Sequence, residues 1–384
     1  MPTTLKSIRA VPLTASFAAM YGGEDRIPEE VRKPSSHFQS IPRRGQFTTI
    51  VFAECSDGQT GIGECFGLPT PHAAAAFVNH VIAPALEGKP LRAPSEMLAD
   101  VRRYLLALGH NKGPAMEAIS GVDIALWDLT ARRNETSLAQ ALGGEVMALP
   151  TYVSPVPFLT TPAETAAAAV QLVSGFQAVK LKVGRGAALD IRFIAAVREA
   201  IGPERKLMLD ANCAYTFDEA ATLLDEIKRL DIAWLEEPLP PDDLAGLRKL
   251  SERSEIHIAG GENEFTVGAI AALIDEAGIG IVQPNISRAG GVSGLLDIHR
   301  IAEQRGAKIA PHGVGGSVVM SSTLHCGAVM PGFLTFEVNR LPNPLRDDLG
   351  ATPTITDGFA RPSDGPGHGV TINADQINRF SEAA

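Results

Sequence analysis

The sequence predicts an α/β protein in which a (β/α)₈ TIM barrel follows a smaller α+β domain. A hairpin and helices occupy the first third of the chain, and eight short apolar strands then alternate with amphipathic helices. The length of 384 residues also exceeds what one small core usually occupies. We expect an α+β domain over residues 1–135, the barrel over 136–350, and a C-terminal segment over 351–384 that packs back on the first domain.

The first domain is expected to open with antiparallel sheet and to continue as helix. The N-terminal apolar stretch is interrupted by Pro12, which favours an edge strand over a signal peptide. Residues 48–64 alternate in polarity around Asp57-Gly58, a dipeptide that favours a type I′ hairpin turn. Residues 74–130 instead carry apolar side chains at helical spacing. This order of elements predicts the α+β domain.

After residue 144 the pattern becomes a regular alternation of short apolar strands, which end in polar residues, and amphipathic helices. Reactive side chains of (β/α)₈ barrels lie where the strands end, so these ends are the place to look for chemistry. The eight strands are expected at 151–153, 178–183, 207–210, 234–236, 256–260, 281–284, 308–311 and 333–336.

Three carboxylates stand at the ends of three consecutive barrel strands. Asp210 ends the third strand, Glu236 ends the fourth and Glu262 follows the fifth, at equal intervals of 26 residues. This spacing is about one βα unit, so the three groups should converge. Converging carboxylates repel one another without a cation, and hard oxygen ligands favour Mg²⁺ over Zn²⁺. The pattern therefore predicts one Mg²⁺ per subunit.

Two lysines alternate with apolar residues along the second strand. Period-two alternation puts Lys180 and Lys182 on one face of the strand, with Val179 and Leu181 on the other. Burial, the neighbouring ammonium and a nearby cation all favour a neutral amine, so we expect Lys182 to be a general base with a lowered pKa. Lys180 is expected to depress the pKa of its partner and to donate a hydrogen bond to a substrate carboxylate.

A histidine and an asparagine end two strands on the opposite side of the barrel. His312 follows the seventh strand and Asn285 the sixth, so their side chains are expected to touch. A single histidine is more often structural than catalytic. The position at the end of a barrel strand nevertheless favours a catalytic His312 that faces Lys182 across the pocket.

The eighth strand and a glycine-rich loop supply two further candidates. Glu337 at the end of this strand is expected to be a protonated acid that hydrogen-bonds the substrate oxygen opposite the metal, with an ordinary surface glutamate as the alternative. The loop at 313–317 lies where barrels often bind phosphate through backbone N–H groups. It would serve a carboxylate or hydroxyls equally well, and simple close packing is the alternative.

Composition excludes several classes of partner. The net charge of −10, without a basic stripe to offset it, excludes nucleic acid as a partner. No stretch approaches the roughly 20 apolar residues that cross a bilayer, so no membrane partner is expected. Four cysteines without paired spacing are typical of a reducing compartment, and we expect a cytoplasmic protein.

Taken together, these residues resemble the enolase superfamily, specifically the mandelate racemase subgroup of its mandelate racemase/muconate lactonising enzyme branch. The resemblance extends over nearly the whole chain. The motifs that carry it are Gly121-Val122-Asp123-Ile124-Ala125-Leu126-Trp127-Asp128, Lys180-x-Lys182, Asp210-x-Asn212, Glu236-Glu237-Pro238, Gly261-Glu262 and Ala289-Gly290-Gly291.

The resemblance implies an α+β capping domain over a modified barrel, Mg²⁺ held by Asp210, Glu236 and Glu262, and an enediolate intermediate on the metal. In this subgroup the second lysine of the pair is one base, and a His-Asp dyad supplies the other. Asn285 stands here in place of the aspartate. Because asparagine cannot stabilise an imidazolium as aspartate does, His312 is expected to be a weaker base. The absence of a lysine at this position argues against the dipeptide epimerase and muconate cycloisomerase subgroups.

This asymmetry favours dehydration of a sugar acid or a related hydroxy acid. Lys182 would remove the C2 proton, Mg²⁺ would stabilise the enediolate, and His312 would assist departure of the C3 hydroxyl, giving a 2-keto-3-deoxy acid. The alternatives are racemisation or epimerisation, sugar-lactone cycloisomerisation, and a homologue that binds ligand without turnover. We assign substrate binding to Asn212, Lys180 and Glu337.

Residues 21–44 are expected to form a lid over the pocket. Their arginines, Arg26, Arg32, Arg43 and Arg44, suit an acidic or diacidic substrate. The expected partner is therefore a small carboxylate-containing molecule. Members of the resembled subgroup are commonly homo-oligomers, so a dimer to an octamer is expected.

Overall fold

The computed structural model describes residues 3–381, and these residues contain two β-sheets. One sheet has three strands and lies in the N-terminal part of the chain, and the other has ten strands and includes the barrel. The predicted fold class, a (β/α)₈-type barrel with an α+β capping domain, is confirmed. Within the described range no helix combines the length and the apolar character that a bilayer crossing needs.

The N-terminal sheet consists of three antiparallel strands, β1 Leu5–Ser16, β2 Gly45–Cys55 and β3 Thr60–Cys65. Their order in the sheet follows the chain, so β1 lies at an edge. This position agrees with the prediction of an edge strand around Pro12.

The turn between β2 and β3 is not the expected type I′ turn. Gly58 N donates to Cys55 O at 2.9 Å, which puts Ser56 and Asp57 at the centre of the turn. A type I′ turn needs a positive φ at both central residues, and neither of them has one. The positive φ of 87° belongs instead to Gly58, the fourth residue of the turn. This is the pattern of hairpins in which a bulge follows the two central residues.

Helices cover one face of this sheet. A side chain at Gly63 of β3 would collide with the carbonyl of Gly121, so these glycines allow the longest helix to pack directly on the strand. The helices of this region are α1 Phe17–Tyr21, α2 Glu29–Arg32, α3 Pro71–Phe77, α4 Ala83–Leu86, α5 Pro94–Ala107, α6 Pro114–Arg133 and α7 Leu138–Ala141, with 3₁₀ turns at Glu24–Arg26 and Ser36–Phe38 and a π turn at Val78–Ile82.

Eight parallel strands form the barrel, and strands that are consecutive in the chain are neighbours in the sheet. The last strand returns to pair with the first, and a bridge between Ile309 and Phe333 joins the last two segments. The strands are β4 Leu149–Val156, β5 Ala178–Lys182, β6 Lys206–Asp210, β7 Ile232–Glu236, β8 His257–Gly260, β9 Ile281–Val282, β10 Lys308–Ile309 and β11 Phe336–Asn339.

The eighth strand lies three residues later than predicted. Phe333 makes only an isolated bridge to β10, and the regular pairing begins at Phe336, which lies opposite Thr151 of β4. Because β4 sets this register, Glu337 pairs with Tyr152 inside the strand and does not stand at its end. The expected bounds of 333–336 are therefore wrong.

Helices follow the barrel strands and pack on their outer face. Val179 and Leu181 of β5 are fully buried in the layer between strands and helices, on the face opposite the two lysines. The helices are α8 Pro162–Leu172, α9 Ala187–Ile201, α10 Phe217–Ile227, α11 Leu244–Arg253, α12 Val267–Asp275, α13 Gly291–Gln304 and α14 Ser317–Gly327.

The C-terminal segment contacts both parts of the chain. After α15 Pro344–Asp347, strands β12 Thr354–Thr356 and β13 Phe359–Arg361 form a hairpin that pairs with the start of β4, and α16 Ala374–Phe380 follows. His368 N donates to the buried carboxylate of Asp128 on α6 at 2.8 Å. The division at residues 135 and 350 remains a proposal.

Candidate active site

Three buried carboxylates meet at the C-terminal end of the barrel strands. Asp210 is the last residue of β6 and pairs across the sheet with Glu236, the last residue of β7. Glu262 lies just beyond β8, after Gly261, which has a φ of 120°. One oxygen of each carboxylate lies within 4.8 Å of the others. The structure thus brings together the three residues that the 26-residue spacing identified.

The donor set fits a hard divalent cation. All three side chains offer oxygen atoms only, which suits Mg²⁺ better than Zn²⁺. Glu262 Oε2 is buried and accepts no hydrogen bond from the residues that the structure describes, although His312 Nε2 lies 3.0 Å from it without hydrogen-bond geometry. A buried carboxylate oxygen without a donor is unfavourable, and a cation would satisfy it.

Both lysines of β5 point into the barrel, as predicted. Lys180 Nζ lies 2.9 Å from each carboxylate oxygen of Glu236. Lys182 Nζ lies 2.5 Å from Asp210 Oδ2 and 2.8 Å from Asn212 Oδ1. Lys180 is fully buried, whereas 14% of the Lys182 side chain is exposed. Lys182 is therefore the lysine of this pair that a substrate can reach.

The expected lowering of the Lys182 pKa is not found. Burial lowers this pKa, but the charge of Asp210, helped by Glu262 and Glu236, outweighs both burial and the neighbouring Lys180, so the pKa is raised. Carboxylates without a dication between them hold the ammonium form. A neutral amine at Lys182 therefore requires a cation among these carboxylates.

The expectation that Glu337 is protonated is wrong for this structure. Burial alone would raise its pKa, but the ammonium of Lys180, helped by the hydrogen bond from Gly313 N, lowers the pKa to about 2. Lys180 Nζ lies 3.0 Å from Glu337 Oε1, and Gly313 N donates to Oε2 at 3.0 Å. Glu337 is thus an ionised partner of Lys180, and its proposed contact with substrate stays a prediction.

His312 and Asn285 touch, as predicted, at 3.0 Å between Nδ1 and Nδ2. The Asn285 amide is oriented from both sides, because its Nδ2 donates to Val314 O at 2.8 Å and its Oδ1 accepts from Ser287 N at 2.9 Å. It therefore presents an N–H to His312 Nδ1, which must act as acceptor. In the neutral ring the proton is then on Nε2, so His312 offers a hydrogen-bond donor to the pocket and not a base.

The glycine-rich loop at 313–317 does not offer a free anion site at the start of α14. The buried carboxylate of Glu64, on β3 of the capping domain, accepts hydrogen bonds from Gly316 N at 2.6 Å and Val319 N at 3.1 Å. An internal carboxylate thus occupies the helix N-terminus and ties the capping domain to the barrel. The amides of Gly313 and Gly316 are therefore taken by Glu337 and Glu64, whereas Val314 and Gly315 line the pocket, so a contact of this loop with the substrate stays a prediction.

Two residues of the site were not identified from the sequence. Gln283, directly after β9, donates to Glu236 Oε2 at 2.6 Å. Its position at the end of a barrel strand, which identified Asn285, could have identified Gln283 as well. Arg288 donates to the backbone oxygen of Glu262 at 3.0 Å and lies 3.5 Å from Glu117 Oε1 on α6. No local pattern predicts Arg288, because its contacts come from two distant parts of the chain.

Replacing Glu117 with glutamine is expected to flatten the pH dependence of stability. Burial outweighs Arg288 and raises the pKa of Glu117 to about 7, from an ordinary 4.5. The folded chain therefore holds this proton more tightly than the unfolded chain, and the free energy of unfolding falls as pH rises from 4.5 to about 7. Between pH 5 and pH 8 the free energy of unfolding of the unmodified chain should therefore fall by roughly 2–3 kcal/mol more than that of Glu117→Gln. Urea denaturation at the two pH values measures both.

The matched control for this prediction is Glu199→Gln, which removes an exposed carboxylate of α9. The control should keep the pH dependence of the unmodified chain. Equal pH dependence in Glu117→Gln and the control would contradict the argument.

A pocket of about 100 Å³ lies over the carboxylates and is lined by both parts of the chain. The barrel contributes Lys182, Asn212 and His312, and the expected lid contributes His37 and Arg43. These side chains surround a space that suits a small polar molecule.

Of the four arginines in the expected lid, Arg43 lines this pocket. Arg26 and Arg44 are exposed to solvent. Arg32 pairs with Glu24 at 2.8 Å. The lid therefore directs one cationic side chain toward the site.

Comparison with known families gives two matches that together cover most of the chain. Residues 30–143 match the N-terminal domain of mandelate racemase/muconate lactonizing enzymes, and residues 164–376 match the enolase C-terminal domain-like family. The second match alone covers more than half of the 384 residues.

Individual proteins support the same relationship. The chain is 34% identical to D-galactarolactone cycloisomerase of Agrobacterium fabrum, over 86% of this chain and 90% of that protein. It is 29% identical to arabinonate dehydratase of Saccharolobus solfataricus, over 83% and 86%. A racemase structure from Streptomyces coelicolor A3(2) with bound magnesium is 27% identical, with a TM-score of 0.87 over 98% of this chain and 100% of that one.

Proposed function

Because the chain belongs to the mandelate racemase/muconate lactonizing enzyme family of the enolase superfamily, and is an enzyme of the lyase or isomerase type, we propose that it removes the proton beside a carboxylate of a sugar acid and eliminates an oxygen from the next carbon. The observation that carries the proposal is the Lys182 amine, reachable from the pocket and 2.5 Å from a carboxylate of the acidic triad.

Asp210, Glu236 and Glu262 are the residues that would hold one Mg²⁺ in each subunit. A bound Mg²⁺ supplies positive charge that stabilises the substrate carboxylate as negative charge moves onto its oxygens. The carboxylates, once paired with a dication, no longer favour the ammonium form of Lys182.

Lys182 is proposed as the base that takes the proton from C2. Its Nζ is directed by two acceptors, Asp210 and Asn212, and the buried Lys180 lies behind it. Asn212 and Glu337 line the pocket and are proposed to contact the substrate. The contact between Lys180 and the substrate that is expected from the sequence stays a prediction, because Lys180 is fully buried. The direction of Lys182 implies that protons leave from one face of the substrate.

His312 is proposed to assist the departing oxygen. The Nε2–H that Asn285 imposes on the neutral ring can donate a hydrogen bond to the oxygen that leaves C3. A ring held in this tautomer does not take a proton at Nε2, so the two sides of the pocket are chemically unequal. Such inequality favours elimination over racemisation.

Dehydration of an open-chain acid is the leading form of this reaction. The C2–H proton passes to Lys182 and the C3–O bond breaks. The departing oxygen, which His312 hydrogen-bonds, takes a proton from solvent and leaves as water, and Lys182 later returns its proton to solvent. The resulting enol tautomerises to a 2-keto-3-deoxy acid. A second form is supported by the 34% identity to a cycloisomerase: the oxygen that leaves the neighbouring carbon is then a ring oxygen, and the ring opens without loss of water.

The test is a panel of five- and six-carbon sugar acids and their lactones, incubated with the protein and Mg²⁺. Keto acid is detected with semicarbazide, and exchange of the α-proton in D₂O is followed by NMR. Keto acid from open-chain acids supports dehydration, and keto acid from lactones or anhydro acids alone supports cycloisomerisation.

Three other outcomes have different meanings. Exchange without keto acid would indicate a racemase or epimerase. Thermal stabilisation by an acid without any exchange would indicate a homologue that binds ligand only. No exchange and no stabilisation by any compound would overturn the proposal.

Asn285→Asp is expected to create a second base. An aspartate accepts a hydrogen bond from His312 Nδ1–H, which moves the ring to the tautomer with a free Nε2 and stabilises the imidazolium. The unmodified chain is expected to exchange the C2 proton of one configuration, the one that faces Lys182. For the acid of the opposite configuration at C2, exchange of this proton should rise by about 10²-fold in Asn285→Asp, measured by NMR in D₂O.

The control is Asn378→Asp, which adds the same charge at an exposed position of α16. It should leave exchange from both configurations unchanged. An unchanged rate for the opposite configuration in Asn285→Asp would contradict the assigned tautomer.

The small carboxylate substrate is the proposed partner. A homo-oligomer, from dimer to octamer, and a cytoplasmic location are retained as proposals. The reducing compartment is supported by the four free cysteines, of which three are buried. Size-exclusion chromatography with light scattering would measure the oligomeric state.

A further inference from the structure

Arg43 brings an uncompensated positive charge to the pocket that contains Lys182 and His312. Within residues 3–381 its only side-chain hydrogen bond joins Nη2 to Gln46 Oε1 at 2.6 Å, and its Nε is buried without a partner there. Among the described residues it pairs with no carboxylate, and burial lowers its pKa to about 10. A buried charge without a counter-charge is unfavourable, so a negatively charged group in the pocket would stabilise it.

The guanidinium is held in position before any ligand binds. Its central carbon lies 5.4 Å from the ring centres of both Phe17 and Phe38. Gln46 is itself fixed, because its Nε2 donates to Pro342 O at 2.6 Å and leaves Oε1 for Arg43. A pre-positioned guanidinium loses little freedom when it binds an anion.

The second arginine that lines this pocket, Arg346, differs from Arg43 because its contacts lie within the protein. Arg346 donates to the backbone oxygens of Asn339 at 2.6 Å and Leu341 at 3.2 Å, and it pairs with Asp347 at 2.7 Å. Its donors and its charge are thus satisfied within the protein. Arg43 is the arginine of this pocket with donors left for a ligand.

From this arrangement we propose that Arg43 binds a second carboxylate of the substrate, so that the substrate is a diacid sugar, with a carboxylate at each end, or a lactone of one. The inference rests on the proposed function, in which the first carboxylate lies at the acidic triad. Among the described residues Arg43 Nη1 donates no hydrogen bond and Nη2 donates to Gln46 alone, so the end of the planar guanidinium can donate to a carboxylate.

The first test compares matched six-carbon acids that differ only at C6, as carboxylate, hydroxymethyl or phosphorylated hydroxymethyl. With the Mg²⁺-loaded protein, kcat/KM for the diacid should exceed that for the monoacid by about 10²-fold. The diacid should also give the largest increase in Tm, which is independent of turnover. A preference for the monoacid or for the phosphorylated acid would overturn the inference.

The second test uses Arg43→Met and, as a matched control, Arg44→Met, which removes the neighbouring exposed arginine. Arg43→Met should lower the ratio of diacid to monoacid kcat/KM by about 30-fold or more, and Arg44→Met should not change it. Partial misfolding lowers both rates equally and leaves the ratio unaltered. An unaltered ratio in a folded Arg43→Met would mean that Arg43 only supports Phe17 and Phe38.

The two proposals fail in different ways. If no acid of the series exchanges its α-proton, the proposed function fails. If monoacids are turned over and diacids are not, the proposed function stands and the assignment of Arg43 fails.

Discussion

Replacing Lys182 with alanine is expected to lower α-proton exchange by about 10³-fold or more, because the variant has no base at the face of the substrate that Lys182 reaches. Mg²⁺ binding should persist, since Lys182 is not one of the three carboxylates. The ammonium that lies 2.5 Å from Asp210 competes with a cation for that carboxylate, so its removal should leave Mg²⁺ affinity equal or higher. Exchange is measured by NMR in D₂O, and Mg²⁺ binding by titration calorimetry.

The control is Lys206→Ala, on β6 at the opposite end of the barrel. It removes the same side chain from an exposed position and should retain both exchange and Mg²⁺ binding. Exchange that survives in Lys182→Ala would refute Lys182 as the base. Loss of Mg²⁺ binding in the same variant would instead make Lys182 part of the metal site.

Replacing Glu236 with glutamine is expected to abolish Mg²⁺ binding at millimolar concentrations, and activity with it. Glu236 is fully buried, and glutamine has nearly the same size and shape without the charge. In the unmodified chain, Mg²⁺ at 100 times its Kd should stabilise the fold by about 2.7 kcal/mol. The readout is the Mg²⁺-dependent shift of Tm, which requires no substrate.

Glu237→Gln is the matched control, one residue further along the chain. Glu237 is not one of the three clustered carboxylates, and its oxygens accept hydrogen bonds from Asn263 Nδ2 at 2.9 and 3.0 Å. This variant should keep a Mg²⁺-dependent shift of Tm. A shift that disappears in Glu237→Gln and persists in Glu236→Gln would contradict the assigned metal ligands.

Features that depend on local periodicity were predictable from the sequence. The regular alternation of strands and helices predicted the barrel, and equal spacing predicted that Asp210, Glu236 and Glu262 would converge, because successive parallel strands end at the same face. Period two along β5 predicted that Lys180 and Lys182 share a face. The contact between Asn285 and His312 followed from the same rule.

Features that depend on groups distant in the chain were not predictable in the same way. Glu64 fills the N-terminus of α14 from 252 residues away, and no property of the loop at 313–317 indicates its presence. The expected protonation of Glu337 was wrong because the Lys180 ammonium lies 3.0 Å away and the register of β11 on β4 brings the two together.

The sequence by itself determined the barrel, the acidic triad and the inward lysine pair, because strand periodicity and strand ends are local properties that survive any detail of packing. Only the tertiary structure decided the charge of Glu337, the tautomer of His312 and the isolation of Arg43. Each of these depends on the sum of charges and hydrogen bonds that folding brings within a few ångströms from separate segments, and that sum is not encoded in any one of them.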